Sequence, residues 1–407
     1  MRLRSIPVVS MVKICAPFLF WAATATTALA QEPPTREAAI EQAQAEKSKT
    51  LHPYELSTGE RLMGKAEQIL TSTATNWHPY FESAYPGGGF AFGSGYTRHV
   101  SPYNTIDVRG SYTLLGYKRA EAEFLAPRLF HRRGRLSVLG GWREATQAAF
   151  YGLGTNTTDA RRLNYDFQQP YASARLTVRP DRRTFLLQGG LELTQWKQRP
   201  GQGEFASVES VFTPQTLPGL GANVTYLHSQ GTVGFDWRTS PGYSRRGGFY
   251  GVTVHRFDDP DDAFGFQQFD YEAIQHIPIL REAWVISLHA LASTTNTAPG
   301  QQIPFFMLPS LGNGSTLRGF SSWRFRDRDS LLLQAEWRIM VNRFFDSAFF
   351  YDAGKVTAHK SDLDFNGLKS DYGFGLRFHG PVSTPLRIDL AKSTEGLRLV
   401  FTTSAAF

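Results

Sequence analysis

From Gly87 to the end of the 407-residue chain, apolar and polar residues alternate with a period of two. That repeat places neighbouring side chains on opposite faces of a strand and excludes amphipathic helices as the main element. Near the end, Leu397, Leu399, Phe401, Thr403, Ala405 and Phe407 fall on one face, and Arg398, Val400, Thr402 and Ser404 on the other. In "DYGFGLRFH", Tyr372, Phe374, Leu376 and Phe378 oppose Asp371, Gly373, Gly375, Arg377 and His379. In "SLLLQAEWRI", Leu331, Leu333, Ala335, Trp337 and Ile339 oppose Gln334, Glu336 and Arg338. A soluble sandwich gives the same alternation with its polar face outward. Three features favour a membrane barrel. The polar faces carry full charges or glycine, as a wet lumen would. The strands reach about ten residues, beyond the usual five or six. Aromatics crowd strand ends, as interfacial girdles do.

About fifteen strand segments can be marked between 88 and 407. A bacterial single-chain barrel takes an even number. The expectation is therefore an all-β fold, a transmembrane antiparallel β-barrel of sixteen strands, with the unmarked strand between 147 and 222. Aromatics at 14% and 37 glycines suit such a strand-and-turn architecture. No apolar run after residue 30 approaches the ~20 residues of a spanning helix, which excludes a helical membrane protein.

The first 30 residues read as a secretory signal: Arg2, Arg4 and Lys13 flank the apolar stretch "ICAPFLFWAA", and Ala28–Ala30 offers a cleavage site. The single cysteine, Cys15, lies inside that signal, so the mature chain has neither a disulfide nor a thiol nucleophile. Removing the three basic residues leaves 40 basic against 36 acidic, too even a balance to argue for nucleic acid. Residues 31–85 are rich in charge, alanine and glutamate, and predict a short helical or disordered periplasmic segment. The domains expected are thus a signal peptide at 1–30, that segment at 31–85 and a barrel at 86–407.

Other motifs are weak. "GERLMGKA" nearly matches a phosphate-binding loop, but Ala66 replaces the hydroxyl residue and no strand precedes it. "FDDPDDAF" clusters Asp258, Asp259, Asp261 and Asp262 around Pro260, where a hairpin turn or a hard cation would both suit the residues. The ten histidines show no zinc spacing, and no G-x-S-x-G elbow occurs. No metal, cofactor or enzymatic site is expected.

"TLRGF" (Thr316–Phe320) resembles the (V/L)RG(F/Y) signature of the BamA/TamA-like bacterial surface antigen superfamily of outer-membrane assembly and translocation barrels. "FFYDAGKV" (Phe349–Val356) resembles that family's aromatic–x–Asp–x–Gly strand, and "LLLQAEWRI" the strand before it. "GLRLVFTTSAAF" resembles its β-signal, through Leu397, Leu399, Phe401 and Phe407. The resemblance implies that Leu317, Arg318, Gly319 and Phe320 sit in the sixth extracellular loop, with five strands after it. It implies residence in the outer membrane of a bacterial cell, and insertion, assembly or translocation of proteins or membrane components. It also implies outer-membrane lipid, lipopolysaccharide, the cell's assembly machinery and protein clients as partners, without nucleic acid. The 55 residues from Gln31 to Tyr85 are too few for a complete polypeptide-transport-associated domain, and none is expected. A passive pore or structural barrel is the alternative reading.

The alternation turns Glu336 inward with Gln334 and Arg338, and groups Asp352 with Ala348, Phe350 and Gly354. Two carboxylates on adjacent strands then face the lumen, and the resemblance supplies Arg318 as their partner. A guanidinium fork can bridge two carboxylates, which lysine cannot. In a partly wet lumen the pairing would be worth ~1–3 kcal/mol.

Overall fold

The computed structural model describes residues 40–41, 44–46 and 76–407. The expected signal peptide lies outside the described residues, as does most of the expected segment at 31–85; within that segment residues 40, 41 and 44–46 are helical. Residues 76–407 form strands β1 (Trp77–Pro79), β2 (Ala91–His99), β3 (Thr105–Thr113), β4 (Lys118–Arg128), β5 (Gly134–Phe150) and β6 (Leu163–Val178). There follow β7 (Phe185–Pro200), β8 (Asn223–Asp236), β9 (Gly247–Asp258), β10 (Phe266–Ile279) and β11 (Trp284–Thr297). After the short pair β12 (Ser310–Leu311) and β13 (Phe325–Arg326) come β14 (Asp329–Met340), β15 (Phe345–Thr357), β16 (Lys369–Phe378), β17 (Leu386–Ser393) and β18 (Gly396–Thr402). All but β12 and β13 join one antiparallel sixteen-stranded sheet in chain order.

Every segment marked from the alternation is a strand. The sixteenth is β1, ahead of Gly87 rather than between 147 and 222. Three residues ending in Pro79 offer no period to read, and proline removes a ladder donor, which confines it to such edges. The strand also lies ahead of the expected domain boundary at 85/86. The region 147–222 holds long connections instead, at 151–162 and 201–222.

Burial along the strands inverts that of a soluble protein. On β14, Glu336, Gln334 and Arg338 are buried while Trp337 is exposed. On β7, Leu191 and Leu193 face outward at 58% exposure each, whereas Thr194 is buried. Only an apolar solvent makes that arrangement favourable, since each exposed leucine forfeits ~1.5–3 kcal/mol in water. At the end with short turns, Trp284, Trp337, Phe349 and Phe374 form an outward aromatic run with ring centroids 5.3–6.0 Å apart. It matches an interfacial girdle.

The long connections 201–222 and 298–328 leave the opposite end and fold back over the lumen. Phe305 and Phe306 from the second pack with Phe150, Tyr165, Phe167 and Trp196 of the wall, and with Leu217 of the first. Buried rings thus occupy the lumen beneath the long loops.

Candidate functional site

The 298–328 connection holds the residues singled out in the sequence. β12 pairs with β13, bringing Leu311 against Phe325, and these pack with Leu317, Phe320, Leu332 and Val356 in one buried cluster. Gly312 turns the chain there with φ +103°, a conformation L side chains rarely adopt. The loop top therefore lies inside the barrel against β14 and β15, not in solvent.

Arg318 sits at the bottom of this loop with no side-chain exposure. Its Nε donates to Asp352 Oδ2 at 2.7 Å and one terminal nitrogen to Asp352 Oδ1 at 2.7 Å, a bidentate fork. The other terminal nitrogen donates to Glu336 Oε2 at 2.9 Å. The guanidinium also stacks over Phe350, 3.5 Å from the ring centroid. The structure thus brings Arg318 together with both carboxylates named from the sequence. Leu317 and Phe320 lie in the apolar cluster above. Gly319 passes so close to the wall that an added Cβ would stand 2.6 Å from Asp371 Cβ and 2.9 Å from Ser393 Cβ. Its carbonyl accepts from Ser393 Oγ at 2.8 Å.

Sequence reasoning missed the remainder of the network. Arg377 on β16 donates to Glu336 at 2.5 and 3.1 Å and to Asp389 Oδ1 at 2.5 Å. Arg387 on β17 lies with Nε 3.1 Å from Asp389 Oδ2, an ion contact without hydrogen-bond alignment, and donates to the Gly314 carbonyl. Gln334 donates to the Thr316 carbonyl at 2.8 Å and to Asp352 at 3.1 Å, and its amide oxygen meets His289. Three guanidiniums and three carboxylates therefore interlock across β14–β17 with the loop at their centre. Asp371 is buried beside them, against Asp352 and the Gly319 backbone. Gln334, Asp371 and Arg377 lay on polar faces read from the alternation. What the pattern could not give was which of them meet across the ladder.

Higher in the loop, Arg324 donates to Glu395 in the β17–β18 turn and to Thr157 between β5 and β6, and Arg326 to Tyr165 on β6 and to the Phe305 carbonyl of the same connection. Leu397, Leu399 and Phe401 face outward on β18. Phe407 does not share that face: the ladder stops at Thr402, and the ring stacks on His289 with centroids 5.1 Å apart, inside the lumen. Asp259 accepts from the backbone of Asp261, Ala263 and Phe264, so in the aspartate cluster it closes its own hairpin turn. Among the described residues no group of three His, Cys, Asp or Glu is placed to hold a metal.

Residues 80–398 match the Omp85 superfamily domain. Among solved structures, BamA from Haemophilus ducreyi lacking POTRA domains 1-3 is similar with a TM-score of 0.59 at 14% identity, covering 91% of this chain and 78% of that one. CdiB from Escherichia coli is similar with a TM-score of 0.52 at 11% identity, over 79% of this chain and 60% of that one. At such identities the likeness is one of fold. No curated protein matches the sequence.

Proposed function

The chain belongs to the Omp85 superfamily, as a bacterial outer-membrane β-barrel, and from that premise we propose that it inserts, assembles or translocates protein clients at that membrane. The long-loop end is then external and the short-turn end periplasmic, the usual arrangement of such barrels. The observation that carries the reading is the inward-folded loop. Held by Arg318 and packed against buried rings, it sets two apolar clusters into the external half of the lumen. A barrel plugged in this way suits work done at its wall.

The wall offers a place for that work. β1 is three residues long and β18 seven, and among the described residues each pairs only with its inner neighbour. Unpaired backbone donors and acceptors at a strand edge template the addition of another strand. The ion network clamps β14–β17 together, which leaves the short β1 as the easier edge to displace. A client strand arriving from the periplasm would pair there and move sideways into lipid. The segment from Gly396 to Phe407, with Leu397, Leu399 and Phe401 on β18 and Phe407 beyond its end, would itself serve as the β-signal read by the cell's assembly machinery. Members of the superfamily are assembly or transport proteins rather than enzymes, and the reading here is likewise non-enzymatic.

Depletion of the protein followed by outer-membrane proteomics tests the reading. Selective loss of other outer-membrane proteins is the expected result. An unchanged proteome with altered solute uptake would instead assign a pore.

A further inference from the structure

A second charged feature lies at the periplasmic mouth, away from the loop network. The turns 129–133 and 179–184, with the adjoining ends of β4–β7, line an open cleft of about 460 Å³. Six arginines line it: Arg132, Arg133, Arg135, Arg175, Arg179 and Arg182. Pairing sets the register from which they converge. Arg135 on β5 stands opposite Thr177 on β6, and Ser137 opposite Arg175, so both arginines fall on one face of the wall. That face is the lumenal one, because Ser137 donates to Glu123 at 2.6 Å while its neighbour Val138 points outward.

The cavity's positive charge is only partly offset within the fold: six arginines face Glu123 in the lining, with Asp236 on Arg179 and Glu192 near Arg175. Its one acidic residue is Glu123, already held by Arg109 at 2.9 Å and by Ser137. Arg179 pairs with Asp236 at 2.7 Å, and Arg182 donates to the His131 carbonyl. Asp181 in the nearby turn is engaged by its own loop: the Thr184 hydroxyl first, then backbone N–H groups, hold its carboxyl well below the usual range. Among the described residues Arg132, Arg133, Arg135 and Arg175 form no direct ion pair; Arg175 shares a second cleft with Glu192 on β7, whose carboxylate it attracts, and with the amide oxygen of Gln230 turned toward it, its Nε donates at 2.9 Å. Like charges gathered in excess of their counter-charges repel one another, so the fold tolerates this group only if water screens it or an anion binds it.

We propose that this cavity is a binding site for a phosphate-bearing anion, a phosphomonoester or phosphodiester group, held by Arg135 and Arg175 with the turn arginines closing around it. Guanidiniums favour phosphate because the planar fork matches two of its oxygens and is weakly hydrated. A phosphate's several oxygens accept from arginines on two strands and two turns at once, which a carboxylate's two cannot do as fully. The volume suits a small ligand or a lipid headgroup rather than a folded partner. The site would anchor either a soluble phosphate compound entering from the periplasm or the headgroup of an inner-leaflet lipid.

Titration calorimetry on the folded full-length barrel in detergent, at low salt, tests it with two probes: pyrophosphate, and short-chain dihexanoyl phosphatidic acid. The expected result is saturable binding of at least one, weakened at least tenfold in the Arg135→Gln/Arg175→Gln double variant and weakened by added salt. Arg256→Gln, an external exposed arginine paired with Asp258, should leave binding unchanged. Pyrophosphate binding without lipid binding assigns the soluble source, and lipid binding without pyrophosphate binding the headgroup. Neither Arg135 nor Arg175 has a direct ion pair to lose, and Arg143 also acts on the Glu192 carboxylate near Arg175, so the double variant should keep the wild-type gel shift on heating. Failure of both probes to saturate the wild type, or equal binding by wild type and double variant, overturns the proposal.

Discussion

Arg318→Ala should release the loop from the lumen while leaving the sixteen-stranded wall in place. Removing a partner from a dry, hydrogen-bonded ion pair costs ~3–5 kcal/mol. That exceeds the range expected for a partly wet lumen, because Arg318 and Asp352 have no side-chain exposure. The two carboxylates suffer unequally. Glu336 keeps both bonds from Arg377. Asp352 keeps only the Gln334 amide at 3.1 Å, because its long 3.4 Å backbone contact comes from residue 318 and leaves with the loop. Most of the cost therefore falls on Asp352, and Asp352→Asn added to Arg318→Ala should recover ~1–3 kcal/mol by removing the stranded charge. Arg318→Lys keeps the charge but not the fork, so it should rescue only partly. The assay is proteinase K digestion of the barrel in vesicles, with cleavage mapped to 312–323, alongside the temperature at which the folded band converts on gels. Arg318→Ala should be cut there far faster than wild type and convert at lower temperature. Equal cleavage of the two proteins would refute the anchoring role, and a double variant as sensitive as Arg318→Ala would refute the charge argument.

Gly319→Val should loosen the same loop by ~1–3 kcal/mol of overpacking against Asp371 and Ser393, read by the same digestion. Leu193→Arg on the outward face of β7 should cost up to ~2–4 kcal/mol, seen as a lower urea midpoint for folding into vesicles. Cysteines placed at Asp362 and Leu280 should label oppositely on intact cells, with Asp362→Cys accessible and Leu280→Cys protected, and the reverse pattern would invert the barrel. Phe407→Ala should reduce outer-membrane yield in cells without slowing folding into vesicles, because a β-signal is read by machinery absent from vesicles.

The wall was legible because a strand facing lipid on one side and water on the other writes its geometry into the sequence residue by residue. Glu336 and Asp352 fell on the inward faces for that reason, and both are buried. Arg318 lies in a loop with no period, and only the motif around it pointed to a partner. Arg377 was visible as a polar-face residue, and Arg387 and Asp389 alternate with Leu386, Ile388 and Leu390 in the same way, yet their bonds depend on register across β14–β17, which no single strand encodes. β1 was hidden by its length. Phe407 was extrapolated along a ladder that ends five residues earlier, at Thr402, where the chain turns inward to His289. The rings of 201–222 and 298–309 pack across the lumen, a contact between distant segments that alternation cannot register.

The central claim is that the plugged barrel acts on clients at its wall. Purified protein in liposomes can be challenged with a small outer-membrane barrel diluted from urea, and the client's folded, heat-convertible band followed over time. That band should appear faster with wild-type liposomes than with empty ones, and at an intermediate rate with Arg318→Ala. Equal rates in empty and wild-type liposomes, together with steady open-channel conductance of the wild type in planar bilayers, would contradict it.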